Sequence, residues 1–166
     1  MAIINILTTS LFFLLIGDFI ATFLYHVPEH VFGKYHLIVH HSPNRSFVRF
    51  AIARKKPQVL ISGFLGFIPY ILPIPYLWQI SPLGVMLGLL LAECHVIWRH
   101  SYEGETKTPE IVNQICQKLF ITTPERHWLH HLDVDSAYGD VFTFYDLPAQ
   151  YWQKLLTSVQ QKFKLS

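Results

Sequence analysis

Charge is what this sequence has least of. Acidic and basic side chains make up 14% of its 166 residues, and none falls between residues 57 and 92 or between residues 2 and 17. Hydrophobic residues reach 51% and the mean hydropathy is +0.30. That balance lies far from disordered chains and beyond the soluble average, so an integral membrane protein is the leading class. The formal net charge is only +2, from 13 basic and 11 acidic residues, which argues against nucleic acid as a partner. Cysteine is scarce too. Cys94 and Cys116 form no CxxC pair and no disulfide framework, which fits a reducing compartment. The length suits one domain spanning residues 1–166, with no room for a fused electron carrier.

The uncharged runs are long enough to cross a bilayer. Residues 2–25 hold a single charge, Asp18; at about 1.5 Å per residue they reach about 36 Å, against a hydrocarbon core of about 30 Å. The stretch lacks the basic start and small-residue cleavage site of a signal peptide, so it reads as a membrane helix. Residues 57–92 are too long for one crossing and suit a helical hairpin. Pro69, Pro73 and Pro75 put its turn in IPYILPIPY, with helices expected at about 58–71 and 78–98. All 13 Lys and Arg lie in residues 34–56 and 99–164. A hairpin returns both stretches to one face, which the positive-inside rule makes cytoplasmic. Further helices are expected at about 109–119 and 149–163. The fold class is therefore an all-α membrane bundle of about three segments with a cytosolic helical cap.

The abundant residue is histidine. Ten are present, in four windows: HVPEH (His26, His30), HLIVHH (His36, His40, His41), HVIWRH (His95, His100) and HWLHH (His127, His130, His131). Residues three or four apart share a helix face, so three of the windows can each aim two imidazoles at one point. His95 and His100, five apart, cannot do so on a regular helix, and one of them must sit past a helix end or beyond a bulge. Clustered imidazoles repel when protonated and leave buried nitrogens unpaired when neutral; a shared cation satisfies both conditions. Ten ligands exceed what one zinc site takes and suit two ions with open positions. Spacing alone leaves Fe, Cu, Zn and Ni open. HVPEH also fits the H-x-x-E-H of inverzincin peptidases, with Glu29 as general base. The rival readings are thus a two-zinc or inverzincin-like membrane hydrolase and a non-enzymatic metal-binding or metal-transport protein.

The order HxxxH, HxxxHH, a third histidine window and HxxHH, with uncharged membrane helices between, resembles the fatty acid hydroxylase and sterol desaturase superfamily. The most specific part is TPERHWLHHLDVDSAYGDVFTFYD, similar to that family's TP-x-x-H-x-x-HH followed by YG and an aromatic-Asp pair. The resemblance implies two non-haem Fe ions, O2 as co-substrate, an external electron donor of ferredoxin or cytochrome b5 type, and hydroxylation or desaturation of a lipid. On it His26, His30, His40, His41, His100, His127, His130 and His131 would be iron ligands, with His36 and His95 completing the ten. The chain departs from the family pattern at Pro28, inside the first box, and in the longer HLIVHH.

Around the boxes, a carboxylate in a membrane helix needs a partner, so Asp18 is expected to accept either from a histidine ring N–H, fixing its tautomer, or from a neighbouring helix. Glu93, Glu103, Glu105 and Glu125 read as interfacial charges, and Asp140 as a residue that orders the last box or a turn. Tyr25, Trp98, Trp128, Tyr138, Tyr151 and Trp152 read as interfacial anchors. The run RFAIARKK reads as a positive-inside flank.

Overall fold

The computed structural model describes residues 2–33, 35–41, 46–101 and 107–165, so Glu103 and Glu105 lie outside the described residues. Among those described the chain is helical and carries no strand, only a bridge between Ile121 and Phe142. Helix α1 (Ala2–Ile20) continues through a π-helical stretch (Ala21–His26) into α2 (Val27–Val31). Pro28 explains the change of pitch. It falls in the first turn of α2, and because that helix runs on from the π stretch, its missing N–H leaves a carbonyl of the preceding turn without a helical donor. The wider turn before it lets the Val27 N–H reach back to the Thr22 carbonyl. The Phe23 carbonyl within that turn accepts from the Trp152 indole at 2.9 Å.

After a second π-helical stretch (His36–His40) comes α3 (Phe47–Arg54), and then the apolar hairpin. Its turn is not where the proline run suggests. The segments α4 (Val59–Leu65), α5 (Ile68–Ile71) and α6 (Ile74–Trp78) form one apolar span, Val59–Trp78, and the chain reverses only at residues 79–81. Pro69 and Pro75 each open a short helix; their fixed φ suits a first turn, so they segment the span without reversing it. Helix α7 (Pro82–Arg99) returns, started by the Ser81 hydroxyl accepting the Gly84 N–H at 3.1 Å. Among the described residues three helices are long and apolar enough to cross a membrane: Ala2–Val31, Val59–Trp78 and Pro82–Arg99.

Close packing of α1 on α7 depends on Gly84 and Gly88, four residues apart. A Cβ at Gly84 would lie 2.7 Å from Thr9 Cβ, and one at Gly88 2.7 Å from Phe13 Cδ1, so the helices approach as small-residue seams allow in lipid. Phe13, Val85 and Leu77 make the core between them. Outward, Ile4, Leu7, Phe12, Phe64, Leu83 and Leu90 are exposed, an arrangement that suits hydrocarbon around the bundle.

The remaining helices gather at one end: α8 (Glu110–Lys118), α9 (Pro124–Leu132) and α10 (Asp146–Leu165). Helix α10 lies back on α2, where Val27, Tyr138 and Ala149 are fully buried with Phe23, Trp152 and Leu156 packed against them. Tyr138 is thereby corrected from interfacial anchor to core residue. It has no exposed surface, because the loop before residue 140 turns inward under α10.

Candidate metal centre

The four histidine windows converge at the capped end and sort into two tetrads. His26, His30, His36 and His130 form one, and His40, His100, His127 and His131 the other; in each, one ligand atom per residue lies within 4.8 Å of the rest. Ligands on one ion with bonds of about 2.1 Å can be about 4 Å apart, so each tetrad is the size of a coordination sphere. Neither tetrad is made from whole boxes. The π turn at His36–His40 keeps those two rings 4.8 Å apart but gives one to each group. The HWLHH box likewise gives His130 to the first group and His127 and His131 to the second. The first box holds its pair despite Pro28: the His26 and His30 rings are 5.0 Å apart.

His41 lies between the tetrads, with its Nε2 3.3 Å from His30 Nε2 and its ring 4.9 Å from those of His130 and His131. His95 stands apart. Its Nε2–H donates to the Thr122 carbonyl at 2.8 Å, which ties α7 to the loop before α9. His100 is the residue after the last turn of α7, so its ring leaves the helix face that carries His95.

Hydrogen bonds to backbone set the tautomers. Carbonyl oxygens only accept, so a ring nitrogen bonded to one carries the hydrogen. His26 Nδ1–H donates to the Tyr138 carbonyl at 3.1 Å, His130 Nδ1–H to Ser136 at 2.6 Å and His100 Nδ1–H to Val96 at 2.7 Å. In the neutral rings Nε2 is then a bare lone pair, yet His26 Nε2 and His130 Nε2 face each other at 3.0 Å. His127 Nε2 lies 3.1 Å from both His100 Nε2 and His131 Nε2. Both nitrogens of His36 and Nδ1 of His41 are buried without a partner. Converging lone pairs repel unless a cation sits among them, so this donor set fits a metal. Burial first, and neighbouring imidazoles next, hold His36, His40 and His130 well below the usual histidine value, and burial with Arg99 and His100 does the same for His127. Burial and His26 bring His41 down to about 4. Neutral imidazole is the form that ligates.

A buried ionic frame supports the first tetrad. Arg99 Nη1 is 2.6 Å from Asp140 Oδ1 and also donates to the Asp140 carbonyl at 2.8 Å, while that carboxylate lies 3.5 Å from His26 Nδ1. Burial alone would raise the Asp140 carboxyl, but Arg99 and His26 outweigh it and hold it well below the usual carboxylate range. Asp18 reaches the frame from α1 without touching a histidine ring. It accepts the backbone N–H of Asp140 at 3.0 Å and of Phe142 at 2.6 Å, and the Thr22 hydroxyl at 3.2 Å. The carboxylate expected to hold a ring thus holds the loop whose Asp140 does so. Arg99 went unnoticed in the sequence, although an arginine ending an apolar span beside His100 is the signal that would have found it.

A family model described as fatty acid hydroxylase matches residues 10–149. The chain belongs to the fatty acid hydroxylase family. No curated protein and no solved structure gives a match. The matched residues of this hydroxylase-family chain hold all ten histidines, Asp18, Arg99 and Asp140. They also enclose a cavity of about 240 Å³ bordered by His26, His36, His40 and His100 and faced by Phe67 and Val96. It runs from the tetrads between the apolar spans. Glu29, the base an inverzincin would need, accepts from the Ser62 hydroxyl at 2.7 Å and lines a separate cleft bordered by no histidine.

Proposed function

We propose that this protein acts as one membrane domain and a di-iron oxygenase, hydroxylating or desaturating a lipid of fatty acyl, sterol or carotenoid type, with electrons from an external donor of ferredoxin or cytochrome b5 type. Two Fe ions, when bound, supply O2 activation and removal of hydrogen from an unreactive C–H bond. The facing Nε2 lone pairs of His26 and His130, whose Nδ1 hydrogens are engaged by carbonyls, carry the reading, because they leave a cation as the group that relieves them. His26, His30, His36 and His130 hold one ion, and His40, His100, His127 and His131 the other. His41 stands between as a ligand to either, and His95 fixes the strap at Thr122. Backbone carbonyls keep the rings of His26, His100 and His130 turned with Nε2 inward, and the Asp140–Arg99 pair keeps His26 from rotating. The cavity bordered by the tetrad rings seats the lipid and keeps water from the reacting carbon. The positive-inside rule places the tetrads on the cytoplasmic face, within reach of a soluble donor.

The test is conversion of membrane lipid by iron-loaded protein in proteoliposomes with a chemical reductant, followed by mass spectrometry. Hydroxylated or desaturated products are expected under air and none under strict anaerobiosis. Products that form equally without O2 contradict an oxygenase.

A further inference from the structure

We propose that the cavity beside the tetrads recognises a neutral oxygen, a carbonyl or hydroxyl next to the carbon that reacts, through the Tyr70 hydroxyl and the Arg99 Nε–H. This rests on the oxygenase reading and narrows its substrate to a lipid already oxygenated beside the target position.

Two donors in one wall carry the inference. Tyr70 and Arg99 both line the cavity, and the Tyr70 hydroxyl and Arg99 Nε are closed off from solvent without a hydrogen-bond partner. Buried polar atoms in folded proteins are nearly always paired, so two unpaired donors in the wall of a ligand-sized space mark a group that the ligand brings. The Tyr70 ring is held by packing. Gly17 admits it, since a Cβ there would lie 2.7 and 2.8 Å from Tyr70 Cδ1 and Cε1, and the Phe13 ring sits 6.2 Å away. Its hydroxyl therefore stays in place with no bond of its own.

The charge of the wall selects among oxygen groups. Arg99 is already neutralised by Asp140 at 2.6 Å, and Glu93 adds a carboxylate to the same cavity. A ligand carboxylate would meet negative charge with no free cation among the described residues that line the cavity, which is a costly burial. A carbonyl has two lone pairs, one for each donor, and a hydroxyl can accept from either. Because His26, His36, His40 and His100 border the same space, an oxygen held by Tyr70 and Arg99 leaves its neighbouring carbon beside the tetrads.

The experiment measures binding of tritiated hexadecanone, hexadecanol, palmitate and hexadecane to metal-free protein in nanodiscs, with empty nanodiscs subtracted. Iron content after loading is assayed separately on the same preparations. Hexadecanone and hexadecanol are expected to bind about ten-fold more tightly than hexadecane or palmitate, and Tyr70→Phe to reduce that preference to about two-fold. Gly17→Ala displaces the ring without removing the hydroxyl and should also lower the preference, which covers a poorly folding Tyr70→Phe. Equal binding of all four chains by the wild type, or an unchanged ratio in both variants, overturns the inference and leaves trapped water as the partner of the two donors. Two irons per chain with no preference for oxygen defeats this inference alone, whereas a preference without iron defeats the oxygenase reading alone.

Discussion

The two tetrads use one ligand type in two different settings. In the first, His26, His36 and His130 are buried, and behind them stands a chain of ionic and hydrogen-bonded contacts running from His26 through Asp140 to Arg99 and Asp18. In the second only His127 is fully buried; His40, His100 and His131 are partly buried. Its ring orientation depends on the end of α7, through the His100 bond to Val96, and on the single face of α9 that carries His127 and His131. The difference teaches that the first site is anchored mainly on the α1–α2 span, with His130 its one ligand from α9, whereas the second takes two ligands, His127 and His131, from that cap helix. The second therefore depends more heavily on the cap being docked.

The sharpest way to break this asymmetry is Asp140→Asn, which removes the charge facing Arg99 and His26 and leaves the second tetrad untouched. Product formation should fall about 10- to 100-fold, with metal lost from the first site only, as read by elemental analysis beside the activity assay. Asp18→Asn acts one step further back. An amide cannot accept from both backbone N–H groups and the Thr22 hydroxyl as a carboxylate does, so unfolding in detergent should be easier by about 1–3 kcal/mol. Denaturant titration measures it, and an unchanged midpoint would mean that the 139–142 loop does not depend on α1.

These supports mark the limit of what the sequence discloses. The three spans, the cap helices and the histidine windows are legible because long uncharged runs and i,i+4 spacing carry them directly. How the boxes divide is not legible: His36 and His40 share a box but serve different tetrads, and only the three-dimensional placement of a π turn decides that. The bond between Asp18 and residues 140 and 142 crosses more than a hundred positions of chain, beyond any local pattern. His95 looks like a ligand by its box, yet its ring is engaged by Thr122, a partner that becomes visible only when the loop before α9 is in place. The proline run misplaces the hairpin turn because proline is compatible with the first turn of a helix as well as with a break.

Two smaller effects sharpen the comparison. A chelator such as EDTA should strip the second tetrad first, giving two kinetic phases of metal release with the slower one assigned to the buried site; a single phase would mean equal access. Acid should destabilise the metal-free protein. His36, His40, His127 and His130 are held well below their usual value in the folded state, so below about pH 6.5 the unfolded chain binds more protons than the folded one. Stability is then fully present above that pH and falls as pH drops through it. Denaturation midpoints at pH 7.5 and 5.5 check the sign.

The most direct test of the central claim is iron content per chain in wild-type protein and in two double variants, His26→Ala/His30→Ala and His127→Ala/His131→Ala. Two irons in the wild type and one in each variant is the predicted result, since each pair belongs to a single tetrad. One iron in the wild type, or zinc that survives both variants, would contradict a centre of two histidine-bound irons.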